Sequence, residues 1–181
     1  MKHALVVGGK GMLSEVTIWL AKQGYIVSVI GRNKHRMDEI RTICPNSIIH
    51  PILVDYSKLE DLESELRNTI RIHTNIELVV AWIHSYAEEA VNLIIDTVSK
   101  DSSTWQLFHV LGSNADLQVL QSRLTDKRNM IYHQIQLGFM MDDGHSRWLT
   151  NKEIASGVIQ AMINKKSIHI VGVTEPREQR P

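Results

Sequence analysis

The stretch Val6-Val7-Gly8-Gly9-Lys10-Gly11-Met12-Leu13-Ser14 decides how this chain is read. It closes a continuous apolar run, His3-Ala-Leu-Val-Val-Gly8, of the kind required by a strand buried on both faces. Beyond it, Leu13, Val16 and Leu20 recur at helical spacing with Trp19 and Ala21 beside them, up to Gly24, a natural residue for a helix C-terminus. The glycines therefore join a strand to a helix. A tight turn there needs a residue that tolerates positive φ, and backbone N–H groups approach phosphate oxygens closely only where no Cβ intervenes. The helix N-terminus adds free donors and the positive end of a dipole, so the expected guest is the pyrophosphate of a dinucleotide. The same glycines would serve a turn with no ligand; their place at the first strand-to-helix connection favours the nucleotide.

Outward from this turn, apolar runs of strand length alternate with stretches of helical period. Strands are expected over residues 3–8, 25–31, 47–54, 76–83, 104–112, 129–137 and 167–173. Asn33 caps a polar helix that runs to Ile43 and is stopped by Cys44-Pro45. Ser57-Lys-Leu-Glu60 and Thr150-Asn-Lys-Glu153 both match the capping-box pattern, and Leu59, Leu62, Leu66 and Ile70 line one side of the helix after the first of them. Further helices fit 87–100, 116–125 and 151–165, and segment 138–148, holding Asp142-Asp143-Gly144, reads as a surface loop. The alternation predicts an α/β fold in three layers, a Rossmann-like, doubly wound, mainly parallel sheet of about seven strands. One crevice is expected beyond the carboxyl ends of the strands.

The 181 residues, read against a rough 150 per domain, make one dinucleotide-binding domain spanning 1–181, with no room for a separate substrate domain. Lys plus Arg and Asp plus Glu are 20 each, so a zero net charge supplies no attraction to nucleic acid or to an anionic membrane, and neither is expected as a partner. The single cysteine, Cys44, offers neither an internal disulfide nor a thiolate zinc site. The apolar start at residues 4–7 is too short for a secretory segment, and no later run approaches about 18 uninterrupted apolar residues. A soluble, cytoplasmic protein is the expectation.

About twenty residues past the glycine turn, the tip of the second strand should meet the adenosine ribose. A carboxylate there would hold both ribose hydroxyls and repel a 2′-phosphate. This chain has Gly31-Arg32-Asn33-Lys34 instead, with Arg36 close behind. Arg32 can fork onto a 2′-phosphate and stack on adenine, so NADP is preferred over NAD. The alternative is that these cations decorate the solvated start of a polar helix.

Gly8-Gly9-Lys10-Gly11-Met12-Leu13, then Gly31-Arg32-Asn33, then Asp55-Tyr56 after the third strand together resemble the short-chain dehydrogenase/reductase superfamily. The likeness is nearest the extended and atypical branches, whose turn is spaced G-x-x-G-x-x-G; Gly8 and Gly11 match, and the small Ser14 stands at the last glycine. The resemblance implies a nicotinamide dinucleotide on the turn, Asp55 at the adenine with Tyr56 beside it, and backbone of Ala81-Trp82-Ile83, in place of the family's Asn-Ala-Gly, near the adenine ribose. Asp55 alone would equally serve as a helix N-cap. Family habit also implies a homo-oligomer.

The reaction implied is hydride transfer, helped by a Tyr that protonates the carbonyl oxygen and a Lys four residues later on the same helix face. The helix expected after the fifth strand, Asp116-Leu-Gln-Val-Leu-Gln-Ser-Arg-Leu124, contains neither. Ser113, in Leu111-Gly112-Ser113-Asn114, matches by position the family serine that holds the substrate oxygen. Tyr132 is followed four residues later by Gln136, within a segment that reads as strand. The nine histidines show no H-E-x-x-H or other close metal spacing, so no metal is expected. His84, in Trp82-Ile-His-Ser-Tyr86, differs from the rest because strand ends face the crevice, and Ser85 and Tyr86 adjoin it. The candidate catalytic set is thus Ser113 with Tyr86, His84 or Tyr132 as proton donor. Two functions follow: an NADP-dependent oxidoreductase acting on a small carbonyl or alcohol, or a non-catalytic NADP(H)-binding sensor whose occupancy alters its association with a partner.

Overall fold

The alternation of apolar runs and helical periods is realised as a wound sheet. The computed structural model describes residues 1–8, 11–125 and 129–181. Among them the order is β1 (His3–Val7), α1 (Ser14–Lys22), β2 (Ile26–Gly31), α2 (Lys34–Ile43), β3 (Ile49–Leu53), α3 (Leu59–Ile72), β4 (Leu78–Trp82), α4 (Glu88–Asp101), β5 (Trp105–Leu111), α5 (Leu117–Leu124), β6 (Met130–Leu137), β7 (Phe139–Asp142), β8 (His145–Trp148), α6 (Asn151–Asn164) and β9 (Ile168–Val171). Seven strands form one sheet in the order β3-β2-β1-β4-β5-β6-β9, every neighbouring pair parallel. The expected α/β fold and strand number hold for this sheet.

All five residues of β1 are buried, because this central strand has partners on both edges and helices on both faces. Its alternating side chains feed two cores. Ala4 and Val6 meet Val16 and Leu20 of α1, Met37 and Ile40 of α2, and Val158 of α6. Leu5 and Val7 face the opposite way, into a core shared with Leu62 and Leu66 of α3, Ile94 of α4 and Leu124 of α5. Because β1 pairs with β2 on one side and β4 on the other, the winding reverses at its carboxyl end, the position at which open α/β sheets receive their ligands.

Two local expectations are corrected. Segment 138–148 is a hairpin rather than a loop: β7 and β8 pair antiparallel around Asp143 and Gly144, whose φ angles of 47° and 80° are those of a primed turn. Arg147 of β8 anchors this hairpin to α6, its guanidinium forking onto Glu153 at 2.9 Å through both Nη atoms while Nε donates to Asp142 at 2.7 Å. The second correction concerns α3. Its N-cap is Lys58 with no side-chain cap, so Ser57-Lys-Leu-Glu60 is not a capping box; the Ser57 hydroxyl donates to Asp55 at 2.7 Å instead. The box at Thr150 and Glu153 forms in full.

Candidate functional site

The strand-to-helix turn leaves β1 at Gly8, whose φ is 86°. A Cβ placed on Gly8 would stand 1.7 Å from the Trp82 carbonyl oxygen at the end of β4, so both backbone conformation and close approach demand glycine. Gly11 has φ 96°, and a Cβ there would lie 2.1 Å from Nη1 of Arg36. Gly9 and Lys10 lie outside the described residues. Met12 packs against the core from its edge, and Leu13 is 2% exposed, so only the backbone of Leu13 can meet a ligand. As N-cap of α1, Leu13 provides no side-chain bond, which leaves first-turn N–H groups for an anion. Ser14, where the family spacing has its last glycine, turns its hydroxyl back to donate to the Gly11 carbonyl. No room for a Cβ at Gly8, a left-handed φ at Gly11 and first-turn N–H groups beyond them suit a dinucleotide pyrophosphate.

The ends of β2, β3 and β4 supply a second group of residues. Arg32 follows β2, and its Nη1 lies 3.5 Å from Oδ2 of Asp55 beyond β3. Asp55 accepts from the Ser57 backbone N–H at 3.0 Å and from its hydroxyl; these bonds, with Arg32 adding to them, hold the carboxyl below the usual carboxylate range. Asp55 thus organises its own turn and is not the side-chain cap of α3. Asn33 does cap α2, accepting from the Arg36 backbone N–H at 3.2 Å. Burial and a hydrogen bond with Tyr86 push the Tyr56 phenol up, against a contact with the His84 backbone. The His84 and Tyr86 rings stack with centroids 5.5 Å apart, and Trp82 meets His84 edge-on at 6.0 Å. Ala81 and Ile83 are buried on either side of Trp82. Arg32, Asp55, Tyr56, His84 and Tyr86 therefore form one contiguous group, with Tyr86, 73% exposed, at its rim.

A third group gathers at the end of β5. The Ser113 carbonyl accepts from Gln136 Nε2 at 3.3 Å and from Arg180 Nη2 at 3.5 Å, while Arg180 Nη1 donates to Asn114 Oδ1. Gln136, on β6, also donates to the Ala115 carbonyl at 3.3 Å. The loop after β5 is thereby held from the sheet and from segment 174–181, and an open cleft lies between Ser113, Asp116, Gln136, Glu175 and Arg177. Trp82 reaches toward the same strand end, its Cη2 lying 3.9 Å from where a Gly112 Cβ would be.

No protein-family model and no curated protein matches the chain. Solved structures do match. A short-chain dehydrogenase/reductase from Serratia marcescens superposes with a TM-score of 0.76 at 14% identity, covering 96% of this chain and 98% of that one. A betaketoacyl-[ACP] reductase from Bacteroides thetaiotaomicron gives 0.70 at 15% identity, covering 95% of each chain. A metagenomic short-chain oxidoreductase in complex with NADP gives 0.70 at 10% identity, covering 95% of this chain and 96% of that one. The chain has the short-chain dehydrogenase/reductase fold.

Within this short-chain dehydrogenase/reductase fold, α5 is Leu-Gln-Val-Leu-Gln-Ser-Arg-Leu and contains neither Tyr nor Lys. Tyr132 belongs to β6 and not to this helix. It lies near the amino end of β6, 6% exposed, bonded to Nδ1 of His109 at 3.0 Å and accepting from Gln134 Nε2 at 3.4 Å. Burial pushes its phenol up to about 12 and the His109 imidazole down to about 4. The pair is a satisfied polar contact inside the core, distant from the strand ends where Ser113 stands. Among the described residues no group of three or more His, Cys, Asp or Glu could hold a metal, and no helix is long and apolar enough to cross a membrane. Arg36, noted in the sequence only as following close behind Arg32, lies against Gly11, whereas nothing in the sequence pointed to Gln136 or Arg180 as partners of Ser113. Arg36 is separated from Arg32 by one helical turn, a visible signal, whereas the other two reach Ser113 only through the fold.

Proposed function

We propose that this chain binds NADP(H) and is an oxidoreductase acting on a small carbonyl or alcohol. The observation that carries the reading is the glycine turn at the winding reversal, where Gly8 has no room for a Cβ against the Trp82 backbone, Gly11 holds a left-handed φ and α1 has no side-chain cap on its first-turn N–H groups. Arg32, at the tip of β2 where a carboxylate would select NAD, favours a 2′-phosphate, and Asp55 with Tyr56 offers polar and aromatic contact to adenine. When bound, the nicotinamide supplies or accepts the hydride. Ser113 is assigned to the substrate oxygen, its backbone fixed by Gln136 and Arg180. His84 and Tyr86 are the assigned proton donors because both are exposed beyond β4; Tyr132 is left out because its hydroxyl is committed inside the core.

A second reading, binding without turnover, is favoured by one observation, the α5 sequence with no Tyr or Lys. Occupancy by NADP(H) would then change the affinity for another molecule. Nicotinamide absorbance followed across a panel of aldehydes, ketones and alcohols separates the two. Turnover that falls about a hundredfold in Ser113→Ala supports the first reading, by the loss of a group that stabilises developing charge. Tight NADPH binding with no turnover on any member of the panel selects the second.

A further inference from the structure

The loop after β5 is walled by a segment distant in sequence. Val173 and Phe139 exchange backbone hydrogen bonds at 2.9 Å in each direction, and a Cβ on Gly138 would stand 2.0 Å from the Val173 carbonyl oxygen. Residues 174–181 then return to Ser113, where Arg180 donates to the Ser113 carbonyl and to Asn114. The cleft between loop and segment encloses about 420 Å³, within the range of about 300–1,000 Å³ that holds one small molecule.

Its lining is unlike that of a pocket for lipid or aromatic ligands. Among the described residues only Ala115 and Leu117 bring apolar side chains to it. Asn114, Gln118, Gln136 and Arg177 bring amide and guanidinium groups, planar forks suited to neighbouring hydroxyls. Gln136 is 8% exposed and held by two loop carbonyls, so this part of the lining is fixed in place.

The charges offer no seat for an ion. Arg177 faces Glu175 at 3.4 Å, and Asp116 accepts from the Val119 N–H at 3.0 Å. An acid would meet these two carboxylates and an amine would meet Arg177 and Arg180, so a neutral ligand fits best. Arg180 Nε is buried with no acceptor among the described residues, and a hydroxyl oxygen is a neutral group that supplies one.

We infer that the cleft between the β5 loop and segment 174–181 takes a small, neutral, polyhydroxylated carbonyl compound, its carbonyl at Ser113 and its hydroxyls on Gln118, Gln136 and Arg177. This rests on the oxidoreductase reading above and names its substrate class. In that reaction the carbonyl carbon takes a hydride from the reduced nicotinamide, which is left oxidised. The carbonyl π pair passes to oxygen, and a proton from His84 or Tyr86 completes the alcohol.

Erythrulose, butanone and oxobutanoate, equal in carbon number, are the hydroxylated, apolar and anionic probes. NADPH oxidation by the full chain is expected to give kcat/KM for erythrulose about a hundredfold or more above the other two, since a site built to bond hydroxyls rejects an analogue without them. Gln118→Leu and Arg177→Leu, both at exposed positions, should each raise KM for erythrulose about tenfold, the effect of one lost hydrogen bond, with kcat nearly kept. Equal rates on the three probes, a preference for butanone or oxobutanoate, or a KM that neither variant moves overturns the assignment. Saturation-transfer NMR with erythrulose and oxidised NADP reads the cleft without turnover. Transfer to erythrulose in wild type, lost in Arg177→Leu, upholds the ligand class even where no probe turns over and the oxidoreductase reading fails. Binding of NADPH with no transfer to erythrulose overturns the ligand class alone. A thermal melt of each variant confirms that the fold persists.

Discussion

Gly8 shows how much one residue carries. Its positive φ and the Trp82 carbonyl 1.7 Å from its Cβ position mean that Gly8→Ala must displace β4 or distort the turn. A loss of about 2 kcal/mol or more in urea unfolding, accompanied by loss of NADPH binding, is the expected outcome. A variant as stable as wild type would mean that the two strand ends are not in contact. The need for glycine at 8 and 11 was legible from the sequence, because turn chemistry is local; that Gly11 makes room for Arg36 was not, because that contact depends on how α2 packs. Tyr132 makes the opposite lesson. As a strand residue it was open to either a core or a catalytic role, and its bond to His109 on the neighbouring strand is what favours the core role. Tyr132→Phe should cost about 1 kcal/mol through the lost hydrogen bond and leave NADPH affinity and any turnover unchanged. A large drop in turnover with unchanged stability would return Tyr132 to the site.

At the level of elements, boundaries followed the sequence wherever a cap and an apolar stripe agreed, as in α2 with Asn33 and α6 with Thr150. They departed where a pattern had a competitor. Ser57 had the right spacing to cap α3, but Asp55 two residues earlier offers its hydroxyl a charged acceptor. The β7–β8 hairpin hid because its strands are four residues each and lack clear alternation, although Asp143-Gly144 is itself a hairpin signal. Its anchor, Arg147 between Asp142 and Glu153, joins residues whose proximity no local pattern announces. Glu153 is held down to about 2 from 4.5, first by Arg147 and then by the Thr150 backbone, so its contribution is complete above about pH 4.5 and is lost as pH falls toward 2. Melting temperatures of wild type and Glu153→Gln should therefore differ most above pH 4.5 and converge in acid. A constant gap across that window would show that the ion pair does not hold the hairpin to α6.

Across the whole molecule, histidines are buried at several points and burial disfavours their charged form. His109 is depressed to about 4 by desolvation. His3 and His50 are lowered as well, mainly by burial, and both pack edge-on against His73 with centroids 5.6 and 4.8 Å apart. The unfolded chain binds these protons near pH 6.5 and the folded chain does not, so stability is complete above 6.5 and declines below it. His109 alone would remove about 2 kcal/mol by pH 5. Urea midpoints measured from pH 7.5 down to pH 5 should fall, and His109→Phe should flatten part of that slope; a midpoint independent of pH would contradict the buried neutral imidazoles. The architecture itself was readable, since alternating strand and helix periods with right-handed crossovers leave few windings open. The reaction was not, because its expected dyad is missing from α5 and the residues near Ser113 assemble from three distant segments.

On the proposed reading, the turn from Val7 to Ser14 holds a dinucleotide pyrophosphate. Titration of the wild-type chain with NADPH, read by calorimetry and by thermal shift together, tests it most directly. Saturable heat at one ligand per chain with a raised melting temperature, both abolished in Gly8→Ala while the nearby Ser113→Ala still binds, is the predicted result. No heat and no thermal protection at saturating NADPH or NADH would contradict it.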